Sequence, residues 1–150
     1  MTRIASDNRY LHKDFHAALS MGIEYLDHRL SPQAVRDYLC QFARAFYRPL
    51  TQDLASRGLI ALQEHFERIY QVEGAEVSVR LREDELVVEV QRCPAVSYMR
   101  EHGRPVARLF CETTRAVNEA VCEGTDFEAE LVRYDERTGA SVQRFCRRKA

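Results

Sequence analysis

The chain has 150 residues, 45% of them hydrophobic, with 22 basic residues against 23 acidic and a net charge of -1. That length suits one globular domain with a real core, and the balanced charge gives no global field for nucleic acid or an anionic membrane surface. No apolar run approaches the roughly 20 residues of a bilayer-spanning helix, and the opening MTRIASDNRY lacks the apolar centre of a secretory signal, so a cytoplasmic location without a membrane partner is expected.

The first half reads as helix. From Asn8 to Leu30 the residues Leu11, Phe15, Ala18, Leu19, Gly22 and Leu26 fall on one face, and Asp7 or Asn8 can cap the start. Ser31-Pro32 opens a second helix, because serine accepts free amide protons and proline suits the first helical position. Val35, Tyr38, Leu39, Phe42, Ala45 and Phe46 form its apolar stripe, and Pro49 breaks it after Tyr47. Gly58 is a stop; a third helix over about Leu59 to Gln71 carries Leu62, Phe66, Ile69 and Tyr70 and leaves at Gly74.

The period then changes from 3.6 to 2. Val77, Val79 and Leu81 alternate with polar residues, Glu83-Asp84 turns, and Leu86, Val88 and Val90 alternate again, which describes a hairpin with one buried face. Pro94 to Glu101 returns to helix, closed by Gly103, and another helix runs from about Cys111 to Cys122. Phe127, Ala129 and Leu131 begin a second hairpin, which turns over Glu136 to Gly139 and comes back through Val142 to Phe145. The expectation is a single α+β domain over 1–150: a helical half over 8–72, then a sheet-containing half over 75–147 whose two hairpins form an antiparallel sheet of about four strands, in the order ααα-ββ-αα-ββ.

The five cysteines are an odd number in a chain that can fold without staples, so Cys40, Cys93, Cys111, Cys122 and Cys146 are read as thiols. In QRCPAVSYMR, Cys93 precedes the proline that begins a helix. A sulfur at that point lies near free amide protons, with Arg92 beside it, and such a setting lowers a thiol pKa. The other reading is a small apolar side chain packed at the sheet edge. Cys111 also falls near a helix start, with Thr113 or Thr114 as competing caps; if both cysteines border one pocket, they form a two-thiol site for a nucleophile or a metal. Cys40 in mid-helix and Cys122 at a helix end are expected to be structural, and Cys146 an edge residue. No C-x-x-C pair suggests a zinc ribbon.

His12 and His16 share a helical face and could hold a divalent metal with a third ligand, although a half-exposed pair beside the core stripe is the plainer account. His65 and His102 can serve as acid or base only if folding brings them to a cysteine. Asp126, Glu128 and Glu130 alternate on the polar side of a strand, where solvation or pairing with Arg80, Arg82 or Arg144 accounts for them. The aromatics Tyr10, Phe15, Tyr25, Tyr38, Phe42, Phe46, Tyr47, Phe66 and Tyr70 are expected mostly in the core, and a pocket lined by some of them with a tyrosine hydroxyl inside would suit a small planar ligand. No motif names a cofactor, and no glycine-rich phosphate loop, nucleophile elbow or basic aromatic patch for single-stranded nucleic acid is present.

Cys93-Pro94, Gly103, Phe110-Cys111 and the closing run from Glu123-Gly124-Thr125 through Gly139 to Phe145 resemble the L-2-amino-thiazoline-4-carboxylic acid hydrolase family. The element order is also similar to vinyl-reductase-like and transport-particle-like ligand-binding domains. The resemblance implies hydrolytic opening of a ring containing a C=N bond, with Cys93 and Cys111 at the positions of the family's cysteines as nucleophile or ligand. Arg92, Tyr98 and Phe110 around them are the candidate ligand contacts. Against this enzyme stands a non-catalytic domain of the same fold, one that binds a small ligand or forms a homodimer through the aromatic helical half.

Overall fold

The computed structural model describes residues 13–149. His12, Tyr10 and the Asp7 or Asn8 cap lie outside them, so the His12–His16 pair has only one described member. The elements are α1 (Lys13–Arg29), α2 (Pro32–Phe46), α3 (Arg48–Arg57), α4 (Leu59–Glu73), β1 (Val77–Arg82), β2 (Glu85–Val90), α5 (Pro94–Glu101), α6 (Glu112–Cys122), β3 (Phe127–Tyr134) and β4 (Ser141–Arg147). The class is α+β, with helices first and then the strands of one antiparallel sheet.

Local chemistry explains the boundaries. At α2 the Ser31 hydroxyl accepts from the Ala34 amide at 3.1 Å and Pro32 takes the first turn, so two of the problems of a helix start are solved by two residues. Pro49 ends α2 at Tyr47, but the chain immediately re-enters a helix. Four helices therefore precede the first hairpin where the sequence reading counted three, because proline is tolerated in the first turn of α3. Gly74 closes α4 in the left-handed region at φ 65°, and its amide and that of Ala75 satisfy carbonyls of the last turn.

The sheet order is β1-β2-β4-β3, every neighbour antiparallel. Alternation sends Val77, Val79, Leu81, Leu86, Val88, Val90, Phe127, Ala129 and Phe145 towards the helices, with α4 against β1 and β2, and α6 against β3. Register shifts between Leu131 and Arg133, a bulge that leaves Val132 exposed on the edge strand. The other face of the sheet is a field of cross-strand ion pairs: Arg80 with Glu89, Arg144 with Glu130 and Glu85, Arg147 with Asp126 and Asp84. Exposed pairs of this kind contribute little stability, but they keep an open sheet face wetted.

Two clusters make the core. One joins Leu54, Leu62, Phe66, Leu86, Val88, Cys122, Phe127 and Phe145 between sheet and helices. The other joins Ile23, Val35, Leu39, Val96, Met99, Phe110 and Ala116 between α1, α2, α5 and α6. Each fully buried side chain of this size contributes about 2 kcal/mol of transfer free energy. Buried Glu112 holds α2 to α6 through Arg36 while also pairing with Arg115, and buried Ser20 accepts from the Ala107 amide and donates to the Pro105 carbonyl, tying α1 to the loop after α5.

The expected apolar stripes are shifted. On α2 the buried residues are Val35, Leu39 and Ala43, while Tyr38, Phe42 and Phe46 are 47%, 37% and 66% exposed. On α1 the buried positions are Ser20 and Ile23, with Phe15 and Tyr25 outside at 53% and 62%. Of the nine aromatics expected mostly in the core, only Phe66 is buried among the described ones; Tyr47 and Tyr70 are half-buried. The reason is geometric. A helix stripe wide enough for both 38/42/46 and 35/39/43 offers two faces, and the smaller residues allow the closer approach to α6. No described helix is long and apolar enough to cross a membrane.

Candidate functional site

The layering leaves a cavity of about 510 Å³ between α1, α2, α4, α6 and the inner face of the sheet. Its wall is mostly aromatic and aliphatic, including Phe42, Phe46, Tyr47, Phe66, Tyr70, Phe110 and Phe145. The rings hold each other in place: Phe66 stacks on Tyr70 with centroids 6.2 Å apart, tilts against Phe145 at 5.4 Å, and Tyr47 stands edge-on to Phe46 at 5.0 Å. Phe15, Phe42 and Phe46 both line the cavity and reach solvent, so its mouth opens through the exposed aromatic surface of α1 and α2.

A few polar groups interrupt this wall. The Asn118 amide donates to Gln143 Oε1 at 2.8 Å, and Gln143 Nε2 donates to Ser141 Oγ at 3.2 Å and to the Tyr70 hydroxyl at 3.4 Å. This chain fixes a buried glutamine on β4 and aims the phenol of α4. Burial pushes the Tyr70 hydroxyl pKa well up, so it remains a neutral donor. His65 stands edge-on to Tyr47 and Phe66, and burial with help from Arg68 lowers its pKa to about 4. His16 is lowered by burial as well, and both imidazoles are neutral at pH 7. Glu73, in the last turn of α4, has its carboxyl pKa raised by burial.

Cys93 lines the same cavity and caps α5 with extended backbone at φ -76° and ψ 121°. Its amide donates to the Thr138 carbonyl at 3.0 Å, and its Cβ is pressed by Gly139, whose own φ of 68° demands glycine. The thiol pKa does not fall as the helix-start position predicts. Burial raises it, outweighing the opposing pull of the Val96 and Ala95 amides, and the sulfur makes no capping hydrogen bond. Arg92 points to no role in this balance, since it is exposed and absent from the causes of the shift.

Cys111 precedes α6 with helical backbone, outside the cavity lining, and burial raises its pKa too, with the neighbouring Glu112 adding to the effect. The two thiols therefore border different spaces, although the half-buried Tyr134 hydroxyl feels both, its pKa raised by burial first and then by these cysteines. Phe110 lies in the cavity wall with Cys93; Tyr98 lies elsewhere on α5, its ring 4.1 Å from that of His102. Cys122 is buried and its thiol is pushed up to about 12, chiefly by desolvation; Cys40 donates to the Ala116 carbonyl at 3.6 Å, and Cys146 approaches Glu128 at 3.6 Å on the outer sheet face. Among the described residues no group of three or more His, Cys, Asp or Glu side chains could hold a metal ion.

Three polar wall residues are absent from the site expected from sequence, Glu73, Asn118 and Gln143, whereas Tyr70 belongs to the aromatics expected to line a pocket with a hydroxyl inside. Gln143 had a legible signal, because period-2 alternation in SVQRF puts it on the same side as Phe145. Fold and cavity together define an α+β domain with an aromatic chamber between its helices and its sheet. No family model matches the chain, and no curated protein matches its sequence.

Proposed function

We propose that the protein is a small-ligand-binding domain whose cavity receives a flat, mainly apolar molecule, without covalent chemistry. The observation that carries this reading is the chamber itself: its size falls in the range of ligand sites, its wall is mostly apolar, and a short hydrogen-bonded chain ending at Tyr70 provides the convergent polar contact that fixes orientation. The test is titration with a neutral hydrophobic fluorophore such as N-phenyl-naphthylamine. One-to-one binding is expected, with loss in Val117→Phe, which fills the lined space, at unchanged melting temperature. Binding insensitive to that filling would reject the cavity as the site.

A second reading keeps the hydrolase resemblance, and it is supported by Cys93 lining the same cavity. Attack on a C=N carbon needs the thiolate, which burial disfavours here. The substrate in the family's name also carries a carboxylate, for which no Arg or Lys lines the cavity among the described residues. Incubation with the thiazoline acid, followed by mass detection of the gain of one water, decides it: turnover lost in Cys93→Ser would establish the enzyme. The homodimer alternative draws on the exposed rings of α1 and α2, and sedimentation of Phe46→Glu against the parent checks it.

A further inference from the structure

Among the described residues the cavity wall carries one carboxylate, Glu73. Glu73 is half-buried, and among the described residues it makes no hydrogen bond and no ion pair, whereas the more deeply buried Glu112 is held by Arg36 and Arg115. A carboxylate partly removed from water without compensation is costly, and a cation entering the cavity would relieve that cost. The lining supplies none: it contains no Lys or Arg among the described residues, and its two imidazoles, His16 and His65, are uncharged at neutral pH. The negative charge is nonetheless felt along the wall, since Glu73 adds to burial in raising the Tyr47, Tyr70 and Cys93 hydroxyls and thiol.

Aromatic rings line the same cavity as this carboxylate. Tyr70 lies one turn before Glu73 on α4 and is stacked with Phe66, and Tyr47 faces the same space. Aromatic faces attract cations through their quadrupole, more strongly where water is excluded, and a carboxylate beside them adds a charge-assisted hydrogen bond for an N–H. We propose that the cavity selects an organic cation: an ammonium group or protonated heterocyclic base on a flat apolar body, with its N–H on Glu73 and its body against Phe66, Tyr70 and Tyr47. This rests on the reading of the chamber as a ligand site. It also sets the ligand apart from acids of the same size, which would bring like charge to Glu73 with no cation to answer it.

The experiment compares three probes of one shape, naphthylethylammonium, naphthylethanol and naphthylacetate, by calorimetry on the full chain and on Glu73→Gln. The ammonium is expected to bind about tenfold more tightly than the alcohol, and the acetate more weakly than either. In Glu73→Gln the ratio of ammonium to alcohol affinity falls to about one, with the melting temperature confirming that the variant is folded. Alcohol binding equal to or tighter than ammonium binding overturns the inference and leaves the chamber a ligand site. A preference that survives in Glu73→Gln also overturns it. Failure of all three probes to bind removes the ligand-site reading as well.

Discussion

Cys93 and Glu73 line one cavity, and burial pushes both of their pKa values up, yet the fold treats them differently. Around Cys93 the backbone is satisfied from within: Thr138 takes its amide proton, the Ser97 amide donates to its carbonyl, and Gly139 lies too close to it to carry a side chain. Around Glu73 nothing among the described residues answers the charge. A titratable group in a cavity wall is informative when its neighbours leave a vacancy, and uninformative when packing has already used it. By that criterion we propose the carboxylate, rather than the thiol singled out by sequence, as the functional lead.

The largest expected effect breaks the Cys93 side. A Cβ on Gly139 would clash with the Cβ of Cys93 and lie 2.8 Å from Val96 Cγ2, at a backbone φ of 68° that L residues disfavour. Gly139→Ala should therefore cost about 3 kcal/mol in chemical denaturation. A loss below about 1 kcal/mol would mean that the turn is free to move away from α5 and that Cys93 is less enclosed than its contacts indicate.

The next effect sharpens the other side. With a folded pKa of about 4 against an ordinary 6.5, His65 is protonated in the unfolded chain first. Its share of stability is thus complete above pH 6.5 and drains away as pH falls towards 4, by about 2 kcal/mol once residual solvent contact is allowed for. Glu73 slopes the opposite way: its raised pKa favours the folded state at low pH, and that advantage is lost as pH rises through the folded value. The measurement is accordingly a difference between urea stability profiles, His65→Gln against the parent, and a parallel pair of curves between pH 4 and 6.5 would show that the imidazole is not desolvated. By the same reasoning Glu73→Gln should raise stability at pH 7 by up to about 1 kcal/mol; a loss there would reveal a partner for the carboxylate and remove the vacancy.

Period and punctuation made most of the fold legible. Ser31-Pro32, Gly74, the two-residue turn at Glu83-Asp84 and the start at Pro94 mark boundaries through local chemistry alone, and the structure has its boundaries there. What local pattern cannot decide is which of two adjacent faces a broad amphipathic helix buries. That choice depends on the partner, so Phe15, Phe42 and Phe46 read as core although they rim the cavity. The site was harder still. Glu73 looks like any charged residue in a last helical turn, and its significance comes from what surrounds it in space. The Cys93 reading correctly found a helix start and left a reactive and a packed thiol both open, because the balance between amides and desolvation depends on burial that sequence does not specify.

The smallest expected effect leaves stability untouched and tests that balance directly. At pH 7 Cys93 and Cys111 should react with iodoacetamide more slowly than an unstructured thiol, and their rates should rise only above the roughly 8.5 of a free cysteine, because burial is the leading cause of the upward shift at both. Cys111, outside the cavity, should lead Cys93, and a cavity ligand should slow Cys93 alone. Mass mapping of the modified sites distinguishes the two. Rapid labelling of Cys93 at pH 7 would reverse the comparison, since it would mean that the amides at the start of α5 prevail over desolvation and that the cavity contains a nucleophile as well as an unanswered carboxylate.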